Sequence, residues 1–450
     1  MSGSLKYKKS PKIPNFAAQT SKKKIMGFIL PHKNTKKSDS TLFKQIIDLV
    51  PKHIFYDAVH RFKLNKGCST YMAYDQFVAM TFGQLNKCLS LREITLGLGS
   101  DEKLLLDLGI SQSPAKSTMS DGNSKRDWKG YEHIYFELIR YYKNIFAKQE
   151  GYKEIREIEG KSIKLVDATI MSVCLSLFDW AKYRTAKGGI KIHTSLDEKT
   201  LLPDIVNISE AKLSDRRGVD DFRYPKDTIV VDDRGYYDFK LFKSRIDDEN
   251  HLVTRIKKNT EYESVEEFDL PEDTDFEILK DEKIRLTGKA AVDAGISSTI
   301  FRRVAVMVEE VDRKTKITTT KVVALITNNL EWSAATISEL YKRRWQIETF
   351  FKLIKQNLQI KNFLGTNQNS NKSQIFIALI NYFLIELIRR SMSNIKHGFG
   401  HFVTIVRVCL LQYKQLQYVA NEIKTMVKKA RQFDKANLDT LQMKLNLNSS

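Results

Sequence analysis

The chain has 450 residues, 42% hydrophobic and 10% aromatic, which suits two or three domains with apolar cores and excludes a disordered chain. Its 74 Lys and Arg against 54 Asp and Glu leave a formal charge of +20, which points to a polyanionic partner, nucleic acid or an anionic membrane. A membrane span is disfavoured: the longest apolar run, 375–388, is interrupted by Asn381 and Glu386 and is too short for a bilayer.

Residues 1–40 carry ten lysines against one acid, Asp39, with prolines at 11, 14 and 31. This reads as a basic flexible arm that adds salt-sensitive affinity for phosphate backbones, or as a solubilising tail. Within it, the apolar residues 25–30 follow three lysines but are too few for a signal peptide core. From 41 to 150 the pattern is helical. The segment SQSPAKSTMSDGNSKRDW (111–128) has a Pro near a helix start, small polar residues, then Lys125 and Arg126. It resembles a helix-turn-helix, whose second helix lies in a major groove. An all-α DNA-binding domain is therefore expected here.

After residue 150 the texture changes. SIKLVDATIMSVCL is β-branched and reads as a strand with Asp167 at or near its end. A hairpin follows, turning at 197–199, and DTIVVDDRGYYDF then delivers Asp232 and Asp233 to a glycine turn. His193 reads as a buried, hydrogen-bonded histidine, and Trp180 and Trp345 as packing residues. Residues 257–331 form a β-rich insertion. Two apolar helices, 374–390 and 402–430, precede a polar tail, so a C-terminal helical region is expected over 391–450.

Cys68, Cys88, Cys174 and Cys409 are far apart and form no CxxC pair. They fit reduced thiols in a cytoplasm and argue against a zinc ribbon. No GxGxxG or Walker lysine loop supports nucleotide hydrolysis.

YKRRWQIETFFKLIK (341–355) reads as one amphipathic helix. At about 100° per residue, Tyr341, Arg344, Glu348 and Lys355 share a stripe roughly 60° wide beside an apolar edge. An ion-pair ladder from Arg344 to Glu348 explains part of this. The alternative is a site for phosphodiester chemistry, with Glu348 on a metal and the cations on phosphate. Asp167, Asp233 and Glu348 are distant in sequence, so only the fold can unite them. Without metal three such acids would repel, and with Mg²⁺, a hard cation, the cluster becomes favourable. Asp232 is the rival second acid. Asp233 is preferred because it directly precedes the Arg234-Gly235 turn.

The Tyr-x2-Arg-x3-Glu-x6-Lys spacing, with VDATI and VDDRGY upstream, resembles the DDE transposases of bacterial insertion sequences, in the branch named for that signature. The likeness spans about 162–358. It implies a ribonuclease H-like catalytic core over 151–390, with the β-rich insertion before the glutamate helix. It also implies that Asp167, Asp233 and Glu348 bind two Mg²⁺ or Mn²⁺ ions. Tyr341, Arg344 and Lys355 would hold phosphates of double-stranded DNA, assisted by Lys352 and Arg234. A base flipped out during hairpin chemistry would need Phe, Tyr or Met, since the insertion has no Trp. The expected protein is a cytoplasmic, nucleoid-associated bacterial transposase, homodimeric when paired on two ends, with 402–430 either a candidate interface or packed against the core. The alternatives are a ribonuclease H-like endonuclease without strand transfer and a non-catalytic DNA-binding regulator.

Overall fold

The computed structural model describes residues 37–147, 152–173, 188–271, 274–311, 318–358, 360, 362–391 and 398–416. Most of the basic arm, Cys174, Trp180 and the segment beyond 416 lie outside the described residues.

Nine strands form one sheet. They are β1 (Ile163–Val173), β2 (Gly188–Asp197), β3 (Pro203–Glu210), β4 (Ile229–Asp232), β5 (His251–Arg255), β6 (Tyr262–Glu267), β7 (Ile278–Leu286), β8 (Ile300–Val311) and β9 (Thr318–Thr327). Their order across the sheet is β3-β2-β1-β4-β5-β9-β8-β7-β6. β4 pairs in parallel with β1 and β5, and every other pairing is antiparallel. The parallel centre is where the apolar run Ile229-Val230-Val231 lies, fully buried, as a strand covered on both faces requires.

The β-rich insertion is present, but it does not form a layer of its own. β9 returns to pair antiparallel with β5, so β6 to β9 extend the same sheet. The insertion also anchors the helix after it. Arg302 on β8 grips Asp281 with two N–H groups and donates further to the Leu330 and Trp332 carbonyls. That clamps the chain entering the helix Ala334–Arg343, whose N-cap Ser333 is held in turn by both carboxylate oxygens of Glu157 at 2.9 Å.

The first helical module runs from Leu42 to Phe146 and includes the helices Ala73–Leu85, Lys116–Lys125 and Lys129–Phe146. It is closed by a helix from far along the chain. The central helix Gln368–Ser391 is buried on every side from Ser373 to Leu387, which explains its apolar composition without a membrane. Among the described residues, no helix is long and apolar enough to cross one. Phe376 stacks on Trp128 and Phe383 on Phe146, at centroid distances of 5.6 and 5.1 Å. Inside the contact, Gln84 donates to the Gln374 carbonyl and accepts from Asn381, each at 2.7 Å. The helix Phe399–Cys409 comes next, and the segment after it meets the start of the described chain, where Phe43 N–H donates to the Leu410 carbonyl.

Candidate active site

The two aspartates reach the same edge through strand register. Val166 on β1 stands opposite Asp232 on β4, so Asp167 and Asp233 are the next residues along neighbouring parallel strands. Asp233 directly follows its strand, as the sequence predicts. Asp167 does not end β1: the strand continues to Val173 because it stays paired with β2, from Asp167 opposite Thr194 onward.

Asp232 and Asp233 separate cleanly. Asp232 is 0% exposed and ion-paired with Arg245 at 2.6 Å, a contact inside the core. Asp233 is half-buried and its Oδ1 accepts the Gly235 N–H at 2.6 Å, closing the turn Arg234–Tyr236. A Cβ at Gly235 would fall 2.9 Å from that oxygen, so glycine lets the carboxylate keep its place.

Glu348 comes from the helix Trp345–Asn357, which packs on β1. The single helix expected over 341–355 is two helices that meet at Arg344. There, Arg344 N–H bonds the Tyr341 carbonyl and Ile347 N–H the Arg344 carbonyl, both at 3.2 Å. These are the i to i+3 bonds of a tighter 3₁₀ turn. The polar stripe survives the break. Arg344 Nη2 donates to Glu348 Oε1 at 2.7 Å, while Nη1 stands 3.8 Å from Asp167 Oδ2. One guanidinium thus spans acids from the first strand and the last helix of the core.

The electrostatics arise first from burial. Burial, with the charges of Asp233 and Glu348 adding and the Ala168 N–H and Arg344 opposing, pushes the Asp167 carboxyl up to about 7. Burial likewise raises the Tyr341 phenol, against the pull of Arg344 and Arg255. Lys355 Nζ donates to the Ile170 carbonyl of β1 at 3.1 Å, so its charge lies along the strand that carries Asp167. Lys352 and Arg234 are exposed.

Three participants escape sequence reasoning. Arg255 closes β5 and its charge reaches Tyr341. Asp215, paired with Lys191 at 2.9 Å, has an oxygen 3.4 Å from where a Gly235 Cβ would sit. Tyr236 is 1% exposed, its hydroxyl has no hydrogen-bond partner among the described residues, and the charges of Asp167, Asp215, Asp232 and Asp233 act on it. Only the position of Arg255, at the carboxyl end of a parallel strand, could have signalled a role.

Three carboxylates are the hard oxygen donors that Mg²⁺ or Mn²⁺ takes. The residues therefore fit divalent metal in kind. Their arrangement departs from the expected convergence: among the described residues no three acidic, His or Cys side chains are grouped to hold one ion. Glu348 is engaged by Arg344 instead.

Elsewhere two expectations need correction. Arg126, expected on DNA, is 5% exposed and donates to the Leu64 and Tyr71 carbonyls and to Gln76. It ties helices together because a buried guanidinium must find acceptors. Lys125, its neighbour, is exposed and pairs with Asp121 at 3.1 Å. Trp345, expected in packing, is 52% exposed beside Arg344. His193 is buried with Nε2 on Ser209 Oγ at 3.0 Å, as expected.

Comparison with known proteins agrees with this geometry. Residues 158–384 match the family described as Transposase DDE domain, and residues 38–111 match a domain of unknown function, DUF4372. The chain is 26% identical over 306 residues to the transposase-named protein y4zB of Sinorhizobium fredii, covering 68% of this chain and 80% of that one. It is 25% identical to a protein of Geobacillus stearothermophilus named for transposition of insertion sequence element IS5377, covering 54% and 62%. A similarly named protein for element IS4SA of Synechocystis is 25% identical, over 60% and 71%. The mixed α/β sheet is consistent with a ribonuclease H-like core, and the family acts on DNA and generally uses divalent metal ions. With the family match spanning half its length, the chain belongs to the DDE-domain transposases and is a DNA transposase.

Proposed function

We propose that this transposase belongs to the branch with the Tyr-x2-Arg-x3-Glu-x6-Lys signature. It binds the terminal inverted repeats of an insertion sequence, cleaves donor DNA at the ends and joins the freed 3′-hydroxyls to target DNA. The observation that supports this best is the register placing Asp167 beside Asp233, with Glu348 tied to Asp167 through one guanidinium.

Asp167, Asp233 and Glu348 would hold two Mg²⁺ or Mn²⁺ ions. When bound, these would activate the attacking oxygen and stabilise the leaving one. The protein's own part is positioning. Asp167 is held within the paired strand β1, and Asp233 sits at the end of β4 with its carboxylate fixed by the Gly235 N–H. Arg344 offers the bidentate fork that matches a phosphate, and Lys355 and Tyr341 flank it on the same stripe. Exposed Lys352 and Arg234, with Arg255 at the strand edge, extend the cationic contact. Lys125, on the exposed face of the helix Lys116–Lys125, would meet DNA from the helical module. Two such chains would pair on the two ends.

Asp167→Asn, Asp233→Asn and Glu348→Gln should each abolish strand cleavage, a loss of at least about 10³-fold. Binding of duplex DNA in EDTA should persist. Cleavage at the wild-type rate by any of them removes that acid from the site. Supplying pre-cut ends separates the runner-up: a plain endonuclease yields no joined product.

A further inference from the structure

The guanidinium of Arg344 occupies ground that the proposed chemistry needs. It takes one oxygen of Glu348 at 2.7 Å and stands 3.8 Å from Asp167, with its side chain 10% exposed. The rings of Tyr341 and Trp345 flank it at 5.5 and 6.0 Å. Among the described residues its buried Nε has no hydrogen-bond partner. A carboxylate held by a guanidinium has fewer lone pairs for a metal, and a positive charge between two ligands repels a dication. Arg344 also sits at the break between two helices. The residue before it is pinned: Arg343 bonds Glu198 and Glu339 at 3.0 Å and the Lys153 carbonyl at 2.7 Å. The chain leading into Arg344 is thus anchored by its neighbour.

We propose that Arg344 is a charge placeholder. Without DNA it bridges Asp167 and Glu348 and keeps divalent metal out. A backbone phosphate of DNA draws the fork away, and only then can Glu348 join the metal ligands. This rests on the site assignment above, and makes metal binding conditional on substrate. Phosphate suits the exchange, since a backbone phosphodiester presents two unesterified oxygens that accept the same fork bidentately. By linkage, DNA must then tighten metal binding by the factor with which metal tightens DNA binding.

The test is Mn²⁺ affinity in the full chain without DNA, tracked by the paramagnetic resonance of free ion. Arg344→Gln should bind Mn²⁺ at least about tenfold more tightly than wild type, because the lost positive charge frees both acids. Equal or weaker binding by the variant overturns the placeholder. Adding Asp167→Asn to Arg344→Gln should erase the gain. If the gain survives, the ion sits elsewhere and the site assignment fails instead. If wild type and Arg344→Gln bind alike and both lose binding with Asp167→Asn, the site stands and the placeholder falls. Should Arg344→Gln lose its circular-dichroism melt, Arg344→Met takes its place with the same expected direction, because it too removes the charge between the acids.

Discussion

Two adjacent aspartates show how much one position along a strand decides. Asp232 is the last residue of β4 and points into the core against Arg245, whereas Asp233 caps the turn at the candidate site. Alternation along the strand makes them opposite in fate. Asp232→Ala leaves the Arg245 charge buried and unpaired, a cost of about 3–5 kcal/mol. Asp233→Ala should cost less than ~1 kcal/mol while removing cleavage, since its carboxylate is half in water. Urea unfolding of the two variants checks this, and equal destabilisation would refute the division. The same residues show the limits of reading a sequence. VDDRGY located the pair and the preference for Asp233 came from its turn, but the partner that occupies Asp232 lies thirteen residues on in a helix, beyond any local pattern.

At the scale of elements, the helix carrying Glu348 is informative because periodicity described it incompletely. The stripe of Tyr341, Arg344, Glu348 and Lys355 is visible at helical spacing, yet the break at Arg344 is not. Two tightened hydrogen bonds shift neither the apolar edge nor the order of polar groups enough to mark the sequence. The helix Lys116–Lys125 gives a parallel case. Lys and Arg in succession look equivalent in a string, and only packing turns one outward and the other in. Arg126→Ala should destabilise the helical module by about 2–4 kcal/mol, because it strands the acceptors that the guanidinium now satisfies. Lys125→Ala should leave the melting temperature unchanged and weaken duplex binding. A melt and a polarisation titration of both variants decide the matter. Stability lost with Lys125 rather than Arg126 would reverse the assignment.

Across the whole molecule, the surplus of +20 sets a measurable expectation. Duplex affinity should fall steeply with salt, with a log–log slope of about −4 or steeper if at least four cations meet phosphate. Arg234→Ala and Lys352→Ala should each reduce that slope by about 1. An unchanged slope would take those side chains off the DNA path. The tertiary arrangement also revises how the chain divides. The helical module is completed by Gln368–Ser391, from beyond the catalytic sheet, through Trp128 on Phe376 and the buried Gln84–Asn381 contact.

Amino-acid order alone determined the elements and their chemistry: β-branched runs at the parallel centre, a glycine turn after Asp233, an acid among cations at helical spacing, and a basic surplus suited to DNA. Those are local properties, written in side-chain type and in periods of two or about 3.6 residues. Only the tertiary structure decided which of these groups meet. The register of β1 against β4 sets Asp167 beside Asp233, β9 folds the insertion into the same sheet, and Arg344 enters between Asp167 and Glu348 where metal was expected. Such meetings depend on packing between residues tens to hundreds of positions apart, which leaves no periodic trace along the chain.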